Sequence, residues 1–487
     1  MREIQKKQRL LGQVNIADIQ FDPKSRDDIP QILKGIQFLY LDDDLRTQLF
    51  HILERLVPPN IDKKNGRPGM DLWKVFVMGT LRLNLNWDYD RVHDMVNNHK
   101  TIREMLGHDW EEDDYKYNLQ TIKDNLALFT VEILDEINQL VVKAGHKVLK
   151  KNEETILKGR CDSFVVETNV HYPTDCNLLL DAMRKVITLT ADASFECLLA
   201  GWRNYRLHIK HLKRLCRTTQ EKALASLKTK EAKEERKKEV VQLYLDEAQK
   251  LLQKAKTTLL ELKTYNLVGS DAIEGIEFFI SDAFRQIDQI ERRIFKGETI
   301  PHQEKVFSLF ERHTEWIVRG KAGVKQELGL RTCFVEDQFG FILYHEVMKQ
   351  ITDKEIAVKM VEESQKRFPN LRECSFDKGF YSRKNKQKLK EKLAKLVMPK
   401  NGKRSEEEEA YENSEEFRDG KRRHASVESG VHGLVKHGMK RCRDKGEEHF
   451  KVYVALGMVA RNLQKVGALL QKAEKKKQQR MQRRSAA

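Results

Sequence analysis

The sequence predicts a mixed α/β domain that follows a helical N-terminal region and is interrupted by a long antiparallel helical hairpin. Strand-like apolar runs occur at 160–167, 331–336, 340–347, 372–376 and 395–398, and EDQFG between the second and third reads as a hairpin turn. Helix-patterned stretches at 354–367 and 382–392 separate the later runs, which makes the order a hairpin followed by alternating helices and strands. The third observation lies between the first two runs. Val241, Leu245, Ala248, Leu252, Ala255, Leu259 and Leu262 alternate steps of four and three, and Ile273, Ile276, Ile280, Ala283, Ile287, Ile290 and Ile294 do the same. In NLVGSDAIE between them, Gly269 reads as a C-terminal cap and Asp271 with Glu274 as a capping box. The second arm would span roughly 35–40 Å at about 1.5 Å per residue. Such an inserted arm suits assembly or clamping on a partner better than chemistry.

Residues 1–150 read as helical. A periodic helix covers 71–85, Asp88 caps the next up to about 98, and Thr101 starts a third. Three short helices with tight turns suggest a helix-turn-helix, with Lys100 and Arg103 near DNA phosphates. The expected organisation is therefore a helical N-terminal domain at 1–150, the first part of the catalytic domain at 151–190, the arm at 191–304, the remainder of the catalytic domain at 305–470, and a basic tail at 471–487. The acidic stretch 405–417 reads as a solvated loop or short exposed helix, and the tail as disordered without nucleic acid.

Charge gives the class of partner. The chain of 487 residues carries a formal net charge of +16, with 40% hydrophobic and 34% charged residues. Lys210 to Lys238 holds 11 Lys/Arg against 4 Glu, and Lys472 to Arg484 holds 7 against one Glu, so the two stretches supply 13 of the 16. Concentrated cations suit a polyanion, most simply nucleic acid. No apolar run of about 18 residues is present, which excludes a transmembrane helix, and the N-terminal stretch has no apolar signal core. The seven cysteines are scattered with no CxxC pair. A reduced, cytoplasmic protein is expected, associated with the nucleoid when bound to DNA.

Asp162 opens the run Phe164-Val165-Val166, and a carboxylate in the middle of a sheet is costly unless a cation or hydrogen bonds compensate it. Asp377 stands where RECSF ends, and Glu428 flanks the helical stripe Val427, Val431, Leu434. Three carboxylates converging from two strands and a helix would repel one another without a cation. Mg²⁺ or Mn²⁺ takes such oxygen ligands, and two ions about 3.5–4 Å apart serve in-line phosphoryl transfer.

The blocks DSFVVETNVHYPTDCNLL, HTEWIVRGKAGVKQELG, SFDKGFYS, RRHASVESGVHGLVKHGMKRCRDKG and VALGMVARNLQKVG resemble those of bacterial insertion-sequence DDE transposases, in particular the ISNCY-like group, in order from residue 66 to 467. The resemblance implies an RNase H-like catalytic domain using Mg²⁺, with Asp162, Asp377 and Glu428 as the three acids, the last two 51 residues apart. It implies DNA cleavage at terminal inverted repeats and strand transfer into target DNA by a homo-oligomer. The alternatives are an RNase H-like site-specific nuclease and a non-catalytic DNA-binding protein derived from a transposase. One departure concerns the Tyr, Arg and Lys that many relatives carry around the third acid, because His424 and Val435 stand at those offsets. Arg422, Arg423 and Lys436 are then candidates for phosphate contacts, as is Lys321 in RGKAG. Glu167 and Asp175 compete with Asp162 but read as solvent-facing or capping. The histidines 208, 211, 424, 432 and 437 form no zinc set, and Trp87 and Trp316 read as core residues.

Overall fold

The computed structural model describes residues 14–22, 25–57, 69–108, 114–152, 154–220, 229–265, 268–318 and 326–485. These fall into two compact units, one made of residues 1–169 and 315–487, the other of 170–314. Among the described residues no helix is long and apolar enough to cross a membrane.

The first unit is built on a six-stranded mixed sheet. Its central strand β1 (Leu157–Glu167) pairs antiparallel with β3 (Gln326–Glu336) and parallel with β5 (Leu371–Phe376). Beyond β3 lie β4 (Ile342–Met348) and the short β2 (Glu315–Val318), both antiparallel to it, and beyond β5 lies β6 (Lys395–Val397), parallel. The expected hairpin and alternation are therefore present. Helix α12 (Asp353–Arg367) joins β4 to β5, and α13 (Arg383–Lys392) joins β5 to β6. β2 was not among the expected strands. β3 begins five residues earlier than the periodicity suggested, and these extra residues pair with β2.

Among the described residues, seven α-helices precede the sheet: α1 (Ile29–Leu41), α2 (Asp43–Glu54), α3 (Leu72–Asn84), α4 (Tyr89–Asn98), α5 (Lys100–Met105), α6 (Leu119–Leu126) and α7 (Val131–Val148). Asp88 caps α4 through its side chain, as expected, and Asp71, read as the first residue of the preceding helix, instead caps α3. These helices are not a separate domain. The long helix α17 (Glu447–Ser485) packs on α1, α3 and α7, and one apolar core runs from Ile32 and Phe76 through Val141 to Phe334 and Val459. At the α1–α17 crossing the backbones nearly touch: a Cβ on Gly467 would lie 1.7 Å from the Gln31 carbonyl oxygen, and one on Gly35 would lie 2.3 Å from that of Leu463. Buried Asn462 bonds the Asn138 side chain at 2.8 Å and both the N–H and the C=O of Ile342 at 2.9 Å, tying α17 to α7 and β4. The basic stretch from Lys472 onward, expected to be disordered, continues α17 as an exposed helix. Its Lys, Arg, Gln and Glu are good helix formers, and the helix is already nucleated by the buried turns before it.

The second unit holds α8 (Asp175–Glu196), α9 (Tyr205–Thr218), α10 (Lys230–Thr264) and α11 (Ser270–Ile294). The two heptad stripes do face inward, since Val241, Leu245, Leu252, Ile276, Ile280 and Ile287 are buried. They do not form a self-contained two-stranded coil. α11 packs chiefly along α8, and α10 packs against α8, α9 and α11. Leu179, Met183, Val186 and Ile187 of α8 thus share their core. Helix α8, which the sequence reading divided between the catalytic domain and the arm, belongs to this unit, and the insert runs from 170 to 314. Gly269 is the N-cap of α11 at φ −65°, with Tyr265 ending α10, and no side-chain capping bond forms at Asp271.

In the first unit, buried Arg82 donates to both oxygens of Asp444, one at 2.9 Å, and stacks over Tyr89 with its guanidinium 3.9 Å from the ring centroid. Removing one member of such a pair strands the other charge. We expect Arg82→Ala to cost about 3–5 kcal/mol in urea unfolding. A loss below about 1 kcal/mol would show that the pair contributes little to holding α3 against the segment before α17.

Candidate active site

Backbone pairing brings the first two acids together. Cys161 on β1 stands opposite Phe376, the last residue of β5. Extending that parallel register by one residue puts Asp377 beside Asp162, across a strand spacing of about 4.8 Å. Asp162 is half-buried, and its Oδ1 accepts the Ser163 N–H at 2.7 Å. Asp377 is exposed and leads into the 3₁₀ turn Lys378–Phe380 without a side-chain capping bond. The third acid arrives on a separate element. Helices α14 (Glu406–Asn413) and α15 (Glu415–His424) precede α16 (Val427–Leu434), whose first turn carries exposed Glu428. Asp162, Asp377 and Glu428 line one cleft of about 620 Å³, together with Asp353, His424 and Arg331.

His424, which reads from sequence as a departure at a fixed offset from Glu428 and as part of no zinc set, lies among the acids. Its Nδ1 is 3.0 Å from the Ser375 hydroxyl. Burial pushes its pKa below the ordinary value, against an upward pull from Asp377 and Glu428. Its place one helical turn before Glu428 was the available signal. Arg331 lies 3.9 Å from Asp353, so the cleft also holds a cation near a fourth carboxylate.

The donors suit a hard divalent cation such as Mg²⁺ or Mn²⁺ by type and by sharing a cleft. Their spacing is not a finished coordination shell: among the described residues, no three His, Cys, Asp or Glu groups are placed to hold a metal ion.

The remaining candidates disperse. Arg103 is buried at 2% exposure and donates to the Tyr115 carbonyl at 2.9 Å, so it cannot meet phosphate. The helix-turn-helix reading loses that phosphate contact. α5 has six residues and buries Ile102, Arg103 and Met105, while the exposed face of α4 carries Asp90 and Asp94 beside Arg91, which pairs with Asp94 at 2.7 Å. Lys100 remains exposed. Lys321 lies outside the described residues. Arg422 is exposed, 4.0 Å from Asp419, and Arg423 pairs with the same Asp419. Arg423 borders a second cavity of about 540 Å³ with Arg160, Ser375 and Ser426. Lys436 is exposed, 3.9 Å from Asp28. Glu167 is occupied by Arg441 at 2.8 Å, and Asp175 by Arg293 at 3.0 Å. His437 donates from Nδ1 to the Asn84 carbonyl at 2.7 Å, a structural role. Trp87 packs half-buried on the core, and Trp316 is half-buried in β2. No protein-family model, curated protein or solved structure matches the chain.

Exposed acids without ion pairs contribute little to the fold. Asp377→Asn and Glu428→Gln should each change the unfolding free energy by no more than about 0.5 kcal/mol in denaturant titration. A loss above about 2 kcal/mol for either would assign that residue a structural role.

Proposed function

We propose that the chain is a DDE-type transposase that cleaves DNA at the ends of its element and joins the freed end to target DNA. The observation that carries this reading is one cleft lined by Asp162, Asp377 and Glu428, which come from a strand, a strand end and a helix far apart in sequence. The sheet supports an RNase H-like fold in its connectivity, with an antiparallel trio followed by two parallel strands alternating with helices. Bound divalent metal would lower the pKa of attacking water and neutralise charge on the phosphoryl group. The protein's own contribution is positional. Asp162 and Asp377 offer oxygens from adjacent strands, Glu428 offers one from α16, and Arg331 sets a positive charge at the cleft edge. Such chemistry depends on positioning and charge stabilisation more than on covalent help.

Single-turnover cleavage of labelled repeat-end DNA tests the reading. Asp162→Asn, Asp377→Asn and Glu428→Gln should each slow Mg²⁺-dependent nicking at least about a thousandfold while keeping the circular dichroism of the parent. Near-parental cleavage by any one would remove that residue from the site. Cleavage by the parent chain with no joined product would favour the nuclease alternative.

A further inference from the structure

We propose that the outer face of α9, in the inserted unit, is a contact surface for the phosphate backbone of double-stranded DNA. Its composition is one-sided: Arg206, Lys210, Lys213, Arg214 and Arg217 lie on the helix and Arg203 just before it, and 203–217 contains no Asp or Glu. All six are exposed, while Leu212 and Cys216 on the opposite side are buried against the unit's core. The helix therefore spends its apolar face on the core and presents cations outward.

The charges are also uncompensated. Among the described residues, none of the six has a carboxylate within ion-pair distance. Arg206 instead donates to the Tyr205 hydroxyl at 3.2 Å, and Arg214 donates to His211 Nδ1 at 3.1 Å. Some cations elsewhere on the unit are matched: Arg236 meets Glu239 at 2.8 Å, Lys263 meets Glu277 at 2.5 Å, and Arg292 meets Asp288, Glu298 and Glu304. Like charges three and four residues apart on one helix face destabilise it by about 0.2–0.5 kcal/mol per pair. A polyanion laid along the face removes that repulsion and releases condensed counterions. A shallow depression of about 500 Å³ among Leu207, Lys210, His211, Lys213, Arg214 and Arg217 gives the backbone a place to lie. Duplex DNA fits because its charges recur along a line, as these do. The inference shares its partner with the proposed transposase activity, but its evidence lies on α9 and not in the acid-lined cleft.

The test uses the full chain and a random-sequence DNA duplex, with affinity measured against salt concentration. Lys210→Gln, Arg214→Gln and Arg217→Gln are combined in one variant. The control combines Arg236→Gln, Lys250→Gln and Lys263→Gln, which remove the same number of charges from ion-paired positions of the same unit. Each lost phosphate contact lowers the slope of log K against log salt by about 0.9. The α9 variant should therefore lose between about 2 and 3 in slope and bind at least about thirtyfold more weakly at 0.1 M salt. The control should stay within about threefold of the parent, with unchanged circular dichroism in both. Equal loss in the two variants, or no loss in the α9 variant, overturns the proposal, as does displacement of labelled duplex from the parent chain by polyglutamate as readily as by unlabelled duplex. Cleavage at the acid-lined cleft, measured separately on a pre-bound end, distinguishes failure of this surface from failure of the transposase reading.

Discussion

Strand β1 is hydrogen-bonded along both edges, and the geometry of the cleft depends on that pairing. Antiparallel pairing fixes Asp162 opposite Phe334, and parallel pairing fixes Cys161 opposite Phe376. A slip of one residue on either side would turn Asp162 to the other face of the sheet. The strand also anchors the third acid. Arg160, two residues before Asp162, donates to the Ser426 hydroxyl at the start of α16 and to the Asp337 carbonyl. α16 seats closely because it carries glycines where other elements approach: a Cβ on Gly430 would lie 3.1 Å from the Glu336 carboxylate, and one on Gly433 would lie 3.0 Å from the Arg461 guanidinium.

That seat is itself charged. Glu336 is buried, which raises its pKa, and Arg160 at 3.4 Å acts in the opposite direction. Burial lowers the pKa of Arg461, with Glu336 opposing. The seat beneath α16 is thus polar, with the buried Glu336 carboxylate 3.4 Å from the Arg160 guanidinium and within electrostatic reach of Arg461. Asp377 and Glu428 of the cleft are by contrast exposed.

The legible parts of the sequence were those with a strong period or a local cap. β3 and β4 are apolar runs on either side of the turn signal EDQFG, Asp88 caps α4, and the stripes of α10 and α11 fall on buried positions. The failures share a cause, which is tertiary burial overriding a local signal. α3 reads LWKVFVMGTLRLN, nearly continuous in apolar residues, and that marks a helix surrounded by protein more than one leg of a DNA-reading motif. Arg103 looks like a surface cation until Tyr115 supplies a carbonyl to its guanidinium. The third helix of the inserted unit, α8, was not read from the sequence at all. The three acids were legible from their places beside apolar strand runs and a helical stripe, and the resemblance matched the same three residues.

The contact between α1 and α17 has a consequence for how the chain is made. Lys34 and Glu474, which pair across it, are 440 residues apart. At a synthesis rate of about 5–20 residues per second, α1 leaves the ribosome roughly twenty seconds to a minute and a half before its partner exists. β1 likewise emerges before β3 and β5, while the intervening 170–314 unit can assemble in the interval from its own helices. During that interval the apolar faces of α1, α3 and α7 have no α17 to cover them. The nascent chain is therefore most exposed to aggregation at its oldest end, and the last helix synthesised is the one that closes the first part of the core.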